Sequence, residues 1–209
     1  MGGEFSIPIL RCGSYNMKRV LIIHQWMAGA GGDWRPWLKS ELEKSGYEVS
    51  VPEMPDIDTP VIEKWVSHLA NAVGVLDKDT YFIGHSIGCQ AILRYLDAHR
   101  FGPLETVGGA IFVSGWFNLE NLEDKEVKEI AKPWIETPIN FEKIKTVLPK
   151  STLIISDNDP YGAFEENKKR FREIGSKIIV LPGAGHITTE DGFTELPVVL
   201  EELLKMTGE

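Results

Sequence analysis

The chain has 209 residues, of which 43% are hydrophobic, and a formal net charge of −9. That length and apolar share are enough to bury one sizeable core, so a single domain is expected. The acidic balance argues against nucleic acid or an anionic membrane as partner, and no apolar run approaches the roughly 20 residues of a membrane span.

Residues 1–16 are aperiodic and glycine-rich near the start, whereas Met17-Lys18-Arg19 followed by Val20-Leu21-Ile22-Ile23-His24 looks like a natural beginning. Residues 1–16 are therefore read as a leader or extension and residues 17–209 as the domain, the alternative being that Ser6 to Leu10 adds an edge strand. No hydrophobic signal segment precedes a cleavage site, and the two cysteines, Cys12 and Cys89, make no disulfide framework. A reducing, cytoplasmic setting is the expectation.

Arg19 to His24 is a continuous apolar run, as in a strand buried on both faces. Asp33 is placed to cap a helix that tolerates Pro36 in its first turn and stops at Gly46. Tyr47 to Val51 reads as a second strand, and Thr59-Pro60 opens a helix to about Val73. Thr80 to Ile83, Ala110 to Ser114, Ser151 to Ser156 and Lys177 to Leu181 complete six strands. Helices fall over Gln90 to His99, about Tyr161 to Ile174 and about Phe193 to Met206. Strands alternating with helices predict an α/β fold: a three-layer α/β/α sandwich on a mostly parallel sheet of about six strands. Such sheets bind ligands at the carboxyl ends of their strands.

Between the third strand and its helix lies Gly84-His85-Ser86-Ile87-Gly88. This G-x-S-x-G at a strand-to-helix turn resembles the nucleophile elbow of α/β-hydrolases. The turn strains the serine backbone and projects its hydroxyl, while the flanking glycines relieve crowding between strand and helix. The backbone N–H of Ile87, at the helix N-terminus, then faces any negative charge that forms beside Ser86. Two further strand ends carry partners: Asp157-Asn158-Asp159-Pro160 after the fifth, and Gly185-His186 after the sixth. The order Ser, Asp, His is that of α/β-hydrolases. In that set His186 takes and returns the Ser86 proton while a carboxylate orients its ring. Spacing alone does not separate Asp157 from Asp159.

These motifs, with Trp34-Arg35-Pro36-Trp37-Leu38, Glu53-Met54-Pro55, Ile111-Phe112-Val113-Ser114-Gly115 and Glu190-Asp191-Gly192-Phe193-Thr194-Glu195-Leu196-Pro197, resemble the small serine hydrolases grouped with retinoblastoma-binding protein nine and its bacterial relatives. The resemblance runs from about Met17 to the C-terminus. It implies a three-layer fold without a large cap, and it implies that the triad acid is Asp159, the aspartate just before the proline. One departure stands out. Where such hydrolases usually read His-Gly after the first strand, this chain reads His24-Gln25-Trp26-Met27. By position the second oxyanion donor is the N–H of Trp26, and Gln25 either adopts an ordinary backbone conformation or disturbs the hole.

Other residues receive plainer readings. His85 and His24 are packing or loop-supporting residues, His68 and His99 are partly exposed, and Trp34 and Trp37 are core or packing residues. A metal site from His24, His85, His186 and Asp159 lacks any ligand-spacing motif, so neither metal nor cofactor is expected. Glu120 to Lys132 reads as a solvated helix with i,i+4 pairs rather than a binding patch. Trp26, Met27, Trp116, Phe117 and Trp134 are expected to form a shallow apolar wall beside Ser86, with Trp134 folding over from a short flap. The expectation is a serine hydrolase of small-molecule carboxylic esters with short to medium acyl chains. The alternative is a weakly catalytic scaffold that binds a protein or small molecule, which only Gln25 favours.

Overall fold

A computed structural model describes residues 17–208. The leader or edge strand expected over residues 1–16 lies outside the described residues. Six strands form one sheet: β1 (Arg19–Ile23), β2 (Glu48–Ser50), β3 (Thr80–His85), β4 (Gly109–Val113), β5 (Ser151–Ser156) and β6 (Lys177–Leu181). Their order is β2-β1-β3-β4-β5-β6 and every neighbouring pair is parallel. The connecting helices are α1 (Arg35–Lys44), α2 (Ile62–Val73), α3 (Ile87–Ala98), α4 (Lys125–Glu136), α5 (Phe141–Val147), α6 (Phe164–Glu173) and α7 (Pro197–Thr207).

Successive side chains of a strand point to opposite faces, so each central strand feeds two cores. Leu21, Ile23, Phe82, Phe112 and Leu153 pack with α2, α3, α4, α5 and α6 on one face. Val20, Ile22, Ile83, Ile111 and Ile154 pack with Trp34, Leu38, Val199 and Leu203 of the α1 and α7 segments on the other. The arrangement is the expected three-layer α/β/α sandwich. The central β3, β4 and β5 are buried along their whole length, whereas the edge strands β2 and β6 keep exposed or half-buried residues. Among the described residues no helix is long and apolar enough to cross a membrane.

Helix starts differ from expectation in two places. Asp33 adopts a left-handed backbone (φ 51°), and α1 begins at Arg35 with Trp34 at the cap. The Asp33 carboxylate instead reaches inward to Arg35 and Thr189. Pro60 precedes its helix rather than opening it, because α2 starts at Ile62. The Glu120–Lys132 stretch is only partly helical. It caps α4 through the Asp124 carboxylate, which accepts the N–H groups of Glu126 and Val127. No ion pair forms within it among the described residues.

Candidate active site

In this strand order β1 sends the chain toward one edge of the sheet, to β2, while β3 sends it toward the other, to β4. The loops leaving β1 and β3 therefore diverge and open a crevice at the carboxyl end of the sheet, where open α/β sheets bind ligands. Ser86 sits at that point, between the last residue of β3 and the first of α3. Its backbone is strained at φ 53° and ψ −118°, and its N–H is held by the Val113 carbonyl at 2.9 Å. The flanking glycines answer to close approach. A Cβ on Gly88 would stand 2.4 Å from the Ile23 carbonyl oxygen, and one on Gly84 2.8 Å from the Cys89 nitrogen.

His186 and Asp159 meet at the same rim. The His186 Nδ1 lies 2.8 Å from Asp159 Oδ2, and the other carboxylate oxygen accepts the Tyr161 N–H. With Nδ1 donating to the carboxylate, Nε2 is left as the basic nitrogen. Asp157 turns elsewhere, accepting the Gly183 N–H. Together with Ser156 Oγ on Ala184 and Asn158 Oδ1 on Gly185, it ties three consecutive N–H groups of the histidine loop to the end of β5. Asp191 holds the far side of that loop through the N–H groups of His186 and Thr188 and the Thr188 hydroxyl.

The His186 carbonyl is equally fixed, accepting from Ser114 Oγ and His85 Nε2, both at 3.0 Å. Arginine has only donors, so Arg35 Nη1 donates to His85 Nδ1 at 3.3 Å and leaves the His85 proton on Nε2. Burial, and then the nearness of His186, push the His85 pKa well below the ordinary histidine value. A neutral, buried ring thus links Arg35 to the backbone of His186. His24 plays a similar part under β1: its Nε2 accepts the Met54 N–H and its Nδ1 donates to the Gln25 carbonyl. Burial lowers its pKa as well. These two rings are committed to loop support, as expected.

The Ser86 oxygen accepts a hydrogen bond from the Trp116 indole at 3.3 Å. Ile87, as the first residue of α3, has an N–H without an intrahelical acceptor. After β1 the Met27 N–H is taken by the Ile57 carbonyl, while the Trp26 N–H has no acceptor among the described residues. The left-handed turn that a glycine would usually make is taken by Met27 (φ 58°), and Gln25 is not among the residues with positive φ. Gln25 therefore keeps an ordinary backbone, and its side chain donates to Asp33 Oδ2 at 3.3 Å.

A cleft of about 900 Å³ opens over Ser86 and His186. Trp26, Met27 and Trp116 line it. Phe117 and Trp134 do not. Trp134 is buried, donates its indole N–H to the Pro60 carbonyl at 3.0 Å and packs edge-on against Trp65. Phe117 turns away from Trp116 to pack on Phe141 and Phe171. Both line a separate cavity, with Gln90 and Arg94. Their places in the cleft are taken by Leu119, Leu122 and Val127, with Tyr161 beside His186. Those three lie in or beside the charged stretch assigned to a solvated helix, so that assignment is corrected: the stretch forms a wall of the site. Its signal in the sequence is the set of apolar residues interrupting the acidic run.

The family model described as Serine hydrolase matches residues 20–205. The protein YdeN of Bacillus subtilis (strain 168) is 29% identical over 186 residues, covering 89% of this chain and 94% of that protein. Serine hydrolase RBBP9 of Rattus norvegicus is 28% identical over 180 residues, covering 83% of this chain and 90% of its own length. The crystal structure of the B. subtilis ydeN gene product superposes with a TM-score of 0.84, covering 92% of this chain and all of that one.

Proposed function

The chain belongs to the serine hydrolase family, and from that premise we propose that it cleaves small carboxylic esters through Ser86, His186 and Asp159. The observation that carries this reading is the 2.8 Å His186–Asp159 hydrogen bond at the rim of the cleft that Ser86 also lines. The neutral His186 Nε2 accepts the hydroxyl proton as Ser86 Oγ bonds to the ester carbonyl carbon. The N–H groups of Ile87 and Trp26 stabilise the oxyanion of the tetrahedral intermediate. As that intermediate collapses, the bond to the leaving oxygen breaks and His186 delivers its proton to the departing alcohol, leaving an acyl-Ser86. Water then gives a proton to His186 and its oxygen to the acyl carbon. The acid departs, and the proton returns to Ser86. Asp159 keeps the imidazole in one tautomer and stabilises its charged form throughout.

The open cleft favours short to medium acyl chains; amides and thioesters are secondary substrates of the same chemistry. No cofactor is required by these steps. Turnover of p-nitrophenyl acetate tests the reading: the natural chain hydrolyses it and Ser86→Ala does not. An inactive natural chain, or an active Ser86→Ala variant, would contradict it.

A further inference from the structure

Five carboxylates line the cleft, those of Asp33, Glu123, Asp124, Glu190 and Asp191, and among the described residues no lysine or arginine lines it. Asp33 is partly neutralised by Arg35 at 3.0 Å. Asp124 and Asp191 accept backbone N–H groups, which leaves their charge in place. Glu123 and Glu190 have no hydrogen bond or ion pair among the described residues. The carboxylates do not make the site. Ser86 does: it is 7% exposed, it lines the same cleft, and its hydroxyl proton has no acceptor among the described residues. The carboxylates set the potential in which anything bound to Ser86 must sit. Trp26, Trp116 and Tyr161 line the same space, and aromatic side chains attract cations. Tyr161 reports the field: burial, and then the carboxylates of Asp159, Glu190 and Asp191, raise its pKa.

We propose that this cleft selects substrates carrying a positive charge near the scissile bond and rejects anionic ones, with Glu123 and Glu190 contributing to this preference alongside Asp124 and Asp191. The inference rests on the reading of the cleft as the substrate site, and it goes further by naming the charge of the substrate. Every two carboxylates that lack a cationic partner and lie within about 8 Å of a bound ion, in a water-like dielectric, separate a monocation from a matched monoanion by about tenfold or more. The separation shrinks with added salt, because exposed charges are screened over about 10 Å at 0.1 M.

A binding measurement tests this apart from turnover. Tryptophan fluorescence, read through Trp26 and Trp116, is titrated with phenyltrimethylammonium and with benzenesulfonate, ions of similar size and opposite charge. At low salt the cation binds about tenfold or more tightly. Glu123→Gln with Glu190→Gln narrows the ratio severalfold, the charges of Asp124 and Asp191 remaining, and 0.5 M sodium chloride brings it to about twofold in the natural chain. Equal affinities, tighter binding of the sulfonate, no binding of either ion, or an unchanged ratio in the double variant would overturn the proposal. Esters provide the kinetic counterpart: acetylcholine against the acetate ester of 3-hydroxypropanesulfonate, each relative to neutral 3,3-dimethylbutyl acetate. The kcat/KM values follow the order cation, neutral, anion; the reverse order overturns the charge preference. Failure to hydrolyse all three instead counts against the esterase reading and leaves the ion titration to decide the charge preference.

Discussion

Asp159 Oδ2 and His186 Nδ1 lie 2.8 Å apart across 27 residues of sequence, whereas Asp157, two residues away on the same loop, bonds the Gly183 N–H. Sequence spacing leaves the two aspartates equivalent; the hydrogen bonds give them different work. Asp159→Asn therefore lowers kcat by about 10³–10⁴-fold, since an amide neither fixes the productive tautomer nor stabilises the imidazolium. Asp157→Asn keeps an acceptor oxygen for Gly183 and costs less than about tenfold. Steady-state kinetics of the two variants on p-nitrophenyl acetate make the comparison.

Gly185 lies at φ +59°, and a Cβ there would stand 2.0 Å from Asp191 Oδ1. Gly185→Ala thus adds backbone strain of about 1–3 kcal/mol and displaces the carboxylate that holds the His186 and Thr188 N–H groups. Both the urea midpoint and kcat are expected to fall. The double variant with Asp191→Ala loses less than the sum of the single losses, because the two changes damage one contact.

The separate location of Trp134 predicts a division of effects. Across p-nitrophenyl esters, kcat/KM rises by at most about fourfold per added CH₂, the factor equivalent to 0.8 kcal/mol, and levels off at medium chain length. Trp134→Phe leaves the shape of that profile intact but loses the bond to Pro60, costing about 1–3 kcal/mol of stability. A changed chain-length optimum in Trp134→Phe would place the indole back in the cleft.

His85 and His24 are both held neutral in the fold by burial, with pKa values below the ordinary 6.5. The unfolded chain binds these protons more readily, so their contribution to stability is complete above about pH 6.5 and declines as pH falls toward the folded-state values. Each histidine contributes a slope of up to about 1.4 kcal/mol per pH unit in that window. Urea titrations between pH 7.5 and 5 check this. His85→Asn is less stable at pH 7.5 and loses less on acidification.

Much of this arrangement is legible in the sequence. The apolar runs mark the inner strands β1, β3, β4 and β5, because strands buried on both faces need apolar residues at most positions. Gly84-His85-Ser86-Ile87-Gly88 marks the strand-to-helix turn, because the backbone crossing there admits no Cβ on either side. The walls of the cleft are less legible, for physical reasons. Trp116 and Phe117 are adjacent, and successive side chains of an extended chain point to opposite sides. One reaches Ser86 and the other the Phe141–Phe171 cluster. Leu119, Leu122 and Val127 belong to an acidic stretch whose periodicity suggests a solvated helix, and only the fold places it over Ser86. Arg35, at the start of α1, is fully buried and bridges Asp33, Gly29 and His85. Long-range polar networks of this kind leave no local pattern.

The central claim is that Ser86 becomes covalently modified with the help of His186. Intact-protein mass spectrometry after exposure to a fluorophosphonate, followed by peptide mapping, tests it most directly. The expected result is one adduct, on Ser86, absent in Ser86→Ala and formed at a greatly reduced rate in His186→Ala. An adduct on another residue, or labelling of Ser86 at an undiminished rate without His186, would contradict the account.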